Sequence, residues 1–392
     1  MKKVLSVIAS ICLMAVAMNA QELANFQRGG GRVVSPDIQG DSVTFRMSAP
    51  YATYVKLSGS WMPNPYGGTI DMRRNANNVW EVKIPLPEPE IYTYNFVVDG
   101  VSVNDPQNIQ VQRDGSRFLN MLIVPGKRTE NYVEANKRGT VSHPWYDSKV
   151  LGINRRLTVY TPYGYEANPK KKYPVLYLLH GAGGDEEAWI SMGRTAQILD
   201  NLIEKGLAEP MIVVMPNGNA NQQAAVTLNI PTAPQPDWRQ MQEQFANMPE
   251  AERTRAMNSY VVSLCEEIVP FIEKNFRAIA KPEARAIAGL SMGGGHTITA
   301  SILYPQLFDY ICPLSAAGSA TAEQIANLKK AGVKLYFLAC GNTDFLFEGS
   351  KTLDKTLTEQ GLDHIFYVSD GGHVWANWRL YLNTFAPMLF KK

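Results

Sequence analysis

Apolar and polar residues alternate with period two from Val33 to about Val124. Val43, Phe45 and Met47 alternate in this way, as do Trp80, Val82 and Ile84, and Tyr92, Tyr94, Phe96 and Val98. Alternation of this kind marks strands with one buried face. Gln39-Gly40-Asp41, Asn64 to Gly68, Asn75 to Asn78 and Asp99-Gly100 supply the turns between them. Short strands so spaced, with no helical period among them, predict an all-β sandwich over residues 33–125. From Leu151 the pattern changes. Apolar runs at 157–160, 175–179, 211–215, 286–288, 335–339 and 365–368 alternate with helix-period stretches at 195–205, 260–276, 322–330 and 351–359. Runs that are apolar throughout, such as Val175-Leu176-Tyr177-Leu178-Leu179, suit strands covered on both faces. The alternation predicts an α/β domain with a mostly parallel central sheet over residues 151–392. The polar stretch 126–150 between the two is expected to be a surface linker. Residues 217–258, rich in Asn, Gln, Pro and Met, are expected to form an insertion near the strand ends, of the lid type.

The N-terminus bears on where the protein works. Lys2 and Lys3 precede an apolar stretch from Val4 to Val16, and small residues follow, with cleavage expected after Ala17 or Ala20. The stretch is shorter than the roughly 20 residues that a membrane span needs. Residues 1–20 therefore read as a signal peptide and residues 21–32, with Arg28-Gly29-Gly30-Gly31-Arg32, as a flexible lead-in. The protein is expected to be exported, to a bacterial periplasm or beyond the cell. The net charge of +2 resides in Lys2 and Lys3, so the rest of the chain is balanced. Nothing in that balance asks for nucleic acid or an anionic membrane. Cys265, Cys312 and Cys340 lie beyond the leader, an odd number with no zinc-site spacing, and read as buried free thiols. No ligand cluster of metal-site form occurs, so no metal or organic cofactor is expected.

The candidate chemistry centres on Ala286-Ile287-Ala288-Gly289-Leu290-Ser291-Met292-Gly293-Gly294-Gly295. A short strand ends in Gly-x-Ser-x-Gly, and a helix-compatible segment follows. That is the sequence form of a strained strand-to-helix turn that holds a nucleophilic serine out. A side chain at Gly289 or Gly293 would collide with the neighbouring strand or helix. A serine of this kind needs a base and an acid downstream. Asp344 follows the strand ending at Ala339, and His373 follows the strand ending at Val368. Catalytic groups of open α/β sheets collect at the carboxyl ends of strands, so all three fall on one rim. His373 would take the proton of Ser291 and pass it to a leaving alcohol, and Asp344 would fix the imidazole tautomer. The backbone N–H of Met292, and that of Ala182 or Gly181 in Leu179-His180-Gly181-Ala182-Gly183-Gly184, would hold the oxyanion. His364 and His296 are rival bases, and Glu348 and Asp370 rival acids. His364 precedes its strand, His296 sits on the elbow helix, and Asp370 is too close in sequence to His373.

Two resemblances follow from the motifs. Phe45-Arg46-Met47-Ser48-Ala49-Pro50, Val55 to Trp61, Tyr92 to Gly100 and Asp105-Pro106 resemble the early-set immunoglobulin-like modules grouped with family 48 carbohydrate-binding modules. Trp61, Tyr66 and Trp80 are then candidates to stack on sugar rings, although a core role for Trp80 is equally natural. From about Val141 onward the chain resembles the esterase D-like α/β-hydrolases of carbohydrate esterase family one. The matching motifs are Tyr173 to Gly184 with Glu187 and Trp189, Met215-Pro216-Asn217-Gly218, Gly289 to Gly294, and Gly372-His373-Val374-Trp375 with Trp378. The resemblance implies a serine esterase releasing ferulate or a related acid from arabinoxylan or another plant cell-wall polysaccharide. Trp189 and Trp375 would border a flat, apolar acyl pocket. An acetylxylan esterase is the nearest alternative, then a siderophore esterase or an acyltransferase of the same fold. A glycan-binding protein with a degenerate esterase domain is the alternative from another class.

Overall fold

The structure is a computed structural model that describes residues 33–63, 68–225 and 248–391. The expected signal peptide and lead-in, Tyr66 and the middle of the expected insertion lie outside the described residues. The chain forms two compact units. Of the described residues, one comprises those up to Leu86 with Thr93–Ile109, the other Pro87–Tyr92 with those from Gln110 onward.

The first unit is all-β. Strands β1 (Asp37–Gln39), β2 (Ser42–Ser48), β3 (Val55–Gly59), β4 (Ile70–Asp71), β5 (Arg73–Arg74), β6 (Val79–Pro85), β7 (Ile91–Val98) and β8 (Val101–Val103) make antiparallel pairs. Four of them form a sheet in the order β1-β2-β6-β5. In the second sheet β3 pairs with β4 and β7, and β8 with β7. The period-two residues explain the core, because Val43, Phe45, Leu57, Tyr94 and Phe96 are all buried on inward positions. Two of the sugar-stacking candidates are engaged in packing. Trp80 is buried with its Nε1 donating to the Ala49 carbonyl, and Arg74 lies over its ring. Trp61 stacks on Phe45 at 5.5 Å.

The second unit is an α/β domain. Its hairpin β9 (Val111–Asp114) and β10 (Arg117–Ile123) precedes a nine-stranded sheet. That sheet holds β11 (Thr140–Ser142), β12 (Trp145–Ser148), β13 (Ile153–Thr161), β14 (Val175–Leu179), β15 (Ile212–Pro216), β16 (Arg285–Leu290), β17 (Tyr310–Leu314), β18 (Leu335–Gly341) and β19 (Ile365–Ser369). The order is β11-β13-β15-β14-β16-β17-β18-β19, with β12 also on β13. Strands β14 to β19 are parallel, whereas β13 runs antiparallel to β15, and β11 and β12 antiparallel to β13. The sheet is therefore mixed, with its antiparallel members at one end. Residues 140–148 also depart from the expected surface linker, since they pair as β11 and β12.

Period-two alternation splits the strand residues between two cores. Val175, Tyr177, Leu179, Ile212, Val214 and Ile287 face one way. They pack with a helical run at 259–275 and with α2 (Met292–Leu303), α3 (Ala322–Ala331) and α4 (Phe347–Glu359). Leu176, Leu178, Val213, Ala286, Ala288 and Cys312 face the other way, onto α1 (Thr195–Glu204) and α5 (Trp375–Phe385). Cys265, Cys312 and Cys340 are free and buried, as their spacing suggested. Among the described residues, no helix is long and apolar enough to cross a membrane.

Candidate active site

The site is built at the carboxyl ends of β14, β16, β18 and β19. Ser291 sits between β16 and α2 with φ 54° and ψ −117°, outside the regions that L-residues favour. Such a conformation costs on the order of 1–3 kcal/mol and persists only where its surroundings impose it. Here they do. The Ser291 N–H donates to the Leu314 carbonyl at 2.9 Å, and its carbonyl accepts from Gly295. A Cβ on Gly293 would lie 2.5 Å from the His180 carbonyl oxygen, and one on Gly289 would lie 2.3 Å from that of Gly293. The elbow can thus turn this tightly only with glycine at both positions.

Asp344 and His373 form a pair. The His373 Nδ1 lies 2.9 and 3.0 Å from the two Asp344 oxygens. A carboxylate beside Nδ1 holds the proton there and leaves Nε2 open as a base. The Asp344 side chain is fully buried and also accepts the Leu346 N–H at 2.9 Å. The loops carrying the two residues are fastened together. Asn342 N–H donates to the Ser369 carbonyl, Thr343 N–H to that of Gly371, and Asn342 Nδ2 to Asp370. Gly341 permits the approach, because a Cβ there would meet the Gly371 carbonyl oxygen at 2.1 Å. Asp370 is thereby committed to Asn342 rather than to the imidazole. His364 pairs with Asp354 at 2.9 Å at the amino end of β19, on the opposite rim. His296 lies against the Tyr260 ring at 4.7 Å, as a packed residue of the elbow helix.

The imidazole of His373 packs edge-on to Trp378 at 5.0 Å, and the Trp378 Nε1 donates to Ser315 Oγ at 3.0 Å. Ser315 follows Leu314, whose carbonyl accepts the Ser291 N–H, so the imidazole and the serine are each linked to the end of β17. No hydrogen bond joins Ser291 Oγ to His373 among the described residues. Such bonds are often long in unliganded enzymes and tighten with substrate.

Gly181 is buried beside the serine, and a Cβ on it would lie 3.2 Å from that of Ser291. The Gly181 carbonyl accepts the Gly184 N–H at 3.1 Å and faces His180 Nδ1 at 2.7 Å. The other ring nitrogen, Nε2, accepts the Gly218 N–H at 2.7 Å. An N–H can only donate and a carbonyl can only accept, so His180 is neutral with its proton on Nδ1. Burial pushes its pKa below the ordinary histidine value, in the same sense. The Gly181 carbonyl and the Ala182 N–H share one trans peptide and point in opposite directions. With the Gly181 carbonyl held by His180 and by the Gly184 N–H, the Ala182 N–H on the far side of that peptide points away from His180. Asn217, beside Gly218, is clamped by Glu186 at 3.0 Å, and Glu186 is held by Arg156 at 2.7 Å.

The expectation for Trp189 needs correction. It is only 1% exposed, donates from Nε1 to the Leu179 carbonyl, and meets Trp375 edge-on at 5.3 Å. It packs the loop and offers no face to a ligand, whereas Trp375 is half-buried. Phe345 was missed. It is 76% exposed, and its ring lies 4.5 Å from that of His373. Its position directly after Asp344 was the available signal. No group of three or more metal-ligating side chains occurs among the described residues.

Comparison with known proteins points to a carboxylic ester hydrolase. Residues 148–331 match the family described as "Putative esterase", and residues 31–112 match "Carbohydrate-binding module 48 (Isoamylase N-terminal domain)". An "Endo-1,4-beta-xylanase/feruloyl esterase" of Xylanibacter ruminicola is 32% identical over 88% of this chain and 44% of its own length. The chain thus spans less than half of that relative. A solved ferulic acid esterase superposes with a TM-score of 0.52 and 28% identity, over 64% of this chain and 98% of that one. An enterobactin esterase from Shigella flexneri, 16% identical, covers 94% of this chain and 97% of its own with a TM-score of 0.59, a likeness of fold. By these matches, residues 148–331 are similar to the esterase family and residues 31–112, ahead of them, to the family 48 carbohydrate-binding modules.

Proposed function

We propose that the protein is a serine carboxylester hydrolase that releases ferulate or a related hydroxycinnamate from plant cell-wall polysaccharide such as arabinoxylan. The observation that carries this is the strained Ser291 on the same sheet rim as an imidazole held through Nδ1 by a buried carboxylate. His373 Nε2 takes the Ser291 proton as Oγ attacks the ester carbonyl, and Asp344 offsets the charge that forms on the ring. The N–H groups of Met292 and Ala182 hold the oxyanion, with Gly181 lining the same hollow. The tetrahedral intermediate expels the alcohol, which leaves with the His373 proton, and water then cleaves the acyl-enzyme by the same route. The family and the xylanase/feruloyl esterase relative support the substrate class. Trp375 and the exposed Phe345 supply aromatic surface suited to a flat acyl group or a sugar face. The apolar leader of the sequence supports export, where such polysaccharide is met.

The test is a hydrolysis panel of hydroxycinnamate methyl esters, feruloylated arabinoxylan and acetylated xylan, with Ser291→Ala as control. Release of ferulate by the wild type, abolished by Ser291→Ala, is expected. Release of acetate alone would move the substrate to acetylxylan, and Ser291→Ala protein with full activity would refute the nucleophile.

A further inference from the structure

The loop that carries His373 has a second side. Asp370 and Gly371 before the histidine, and Val374 and Ala376 after it, form one wall of a cavity of about 570 Å³. The opposite wall comes from Glu88, Tyr92 and Lys127, all of the same structural unit. Its volume falls within the usual range for small-molecule sites, about 300–1,000 Å³. The walls are tied by built contacts. Arg128 donates from Nε to Glu90 at 2.7 Å and from Nη2 to the Ala376 carbonyl at 3.1 Å. The buried Arg379 of α5 holds the same Glu90 at 2.9 Å. The cavity is thus pre-formed, with the walls cross-braced by this ion-pair network.

We propose that this cavity binds the sugar chain of the ester, the alcohol half that departs when Ser291 is acylated; the inference rests on the ester-hydrolase reading above. His373 must hand its proton to the departing alcohol oxygen, so the alcohol half lies beside the imidazole. One flank of that imidazole is closed by buried Trp378, and the exposed Phe345 ring stands on another. Along the backbone the next residue is Val374, 46% exposed and already in the cavity wall. The cavity wall thus takes in the residues on both sides of the His373 segment, Gly371 before it and Val374 after it. The lining suits a polyol. Pro89, Val374, Ala376 and the Tyr92 ring offer apolar surface for C–H faces, while exposed Glu88 and Lys127 offer an acceptor and a donor at the mouth. Carboxylates and cations both line it, which favours a neutral xylo-oligosaccharide over an acidic one.

The experiment compares the wild type with Lys127→Trp, which fills the cavity from an exposed position, and with Glu88→Ala/Lys127→Ala. The readouts are kcat/KM on methyl ferulate, kcat/KM on the ferulate ester of an arabinoxylan tetrasaccharide, and calorimetric binding of unesterified xylotetraose. The preference for the glycan ester over the methyl ester is expected to fall at least fivefold in both variants, chiefly through KM. An unchanged preference in both variants overturns the proposal. Should the wild type cleave neither ester, the ester-hydrolase reading fails and binding decides the cavity. Xylotetraose binding lost in Lys127→Trp then upholds the sugar site, and absent or unaltered binding overturns it.

Discussion

Replacing His180 by alanine would separate the part this residue plays in directing a backbone donor from its part in packing. The imidazole makes two bonds of 2.7 Å, to the Gly181 carbonyl and from the Gly218 N–H. Its loss leaves a buried N–H without its acceptor, at about 1–3 kcal/mol of stability. It also frees the Gly181–Ala182 peptide to rotate, although the Gly184 N–H still holds the carbonyl at 3.1 Å. Complete loss of one oxyanion donor costs about 2.7–4 kcal/mol, or 10²–10³ in kcat. With the second restraint in place the lower figure applies, so kcat should fall about 10²-fold. KM should hardly move, because the donor acts on the transition state more than on bound ester. Steady-state kinetics on methyl ferulate and a thermal melt on the same protein measure both effects. His180→Gln, able to donate and accept at similar reach, should recover part of kcat. A folded His180→Ala protein within threefold of the wild-type kcat, or one altered only in KM, would refute the reasoning.

Three further outcomes follow from the same geometry. Gly341→Ala should push the His373 loop off the Asp344 loop, since the added Cβ meets the Gly371 carbonyl oxygen at 2.1 Å; kcat should drop at least tenfold, and wild-type kcat would contradict it. Burial depresses the pKa of His180 and takes that of His296 to about 4, from an ordinary value of 6.5. The unfolded chain therefore binds more protons below pH 6.5, and their stabilisation, complete above that pH, is lost as the pH falls towards 4. The slope is at most about 1.4 kcal/mol per pH unit for each histidine; urea melts of His296→Phe should show a flatter profile than wild type, and a parallel profile would contradict it. Phe345→Ala removes a side chain that is 76% exposed, so stability should stay within about 0.5 kcal/mol. KM for feruloylated arabinoxylan should rise severalfold, and an unchanged KM would show that the ring touches no substrate.

Legibility in the sequence varied with how local each signal was. The elbow is legible because its glycines and serine stand in one short local motif, although the atoms that forbid a side chain at Gly293 belong to Leu179 and His180, far away in sequence. The loops of Asp344 and His373 are legible because each follows a strand that its own apolar run announces. Strand β17 was not read. Its Tyr310-Ile311-Cys312-Pro313-Leu314 run contains a proline, which ordinarily argues against a central strand. Strands β11 and β12 are hidden because they are three and four residues long, Thr140-Val141-Ser142 and Trp145-Tyr146-Asp147-Ser148, too short for a period to show. The mixed character of the sheet is hidden because an apolar run such as that of β13 does not tell which way its strand runs. Helix α5 begins two residues after His373 and is rich in aromatic residues, so its period was hidden by site residues such as Trp375 and Trp378. Trp189 was read as a substrate wall from its distance along the chain to the oxyanion loop. Only its burial beneath that loop assigns it to packing. For Phe345 its place directly after Asp344 is the one signal, since an exposed aromatic residue in a loop obeys no periodic pattern.

The most direct test of the acylation centre is covalent. Wild type, Ser291→Ala and His373→Ala proteins are treated with a fluorophosphonate, digested, and read by mass spectrometry for the site and rate of labelling. A single adduct on Ser291, formed at least 10³-fold more slowly without His373 and absent in Ser291→Ala, is the expected result. An unlabelled Ser291 in an enzyme that still cleaves feruloyl esters, or labelling that His373→Ala leaves as fast as in wild type, would contradict it.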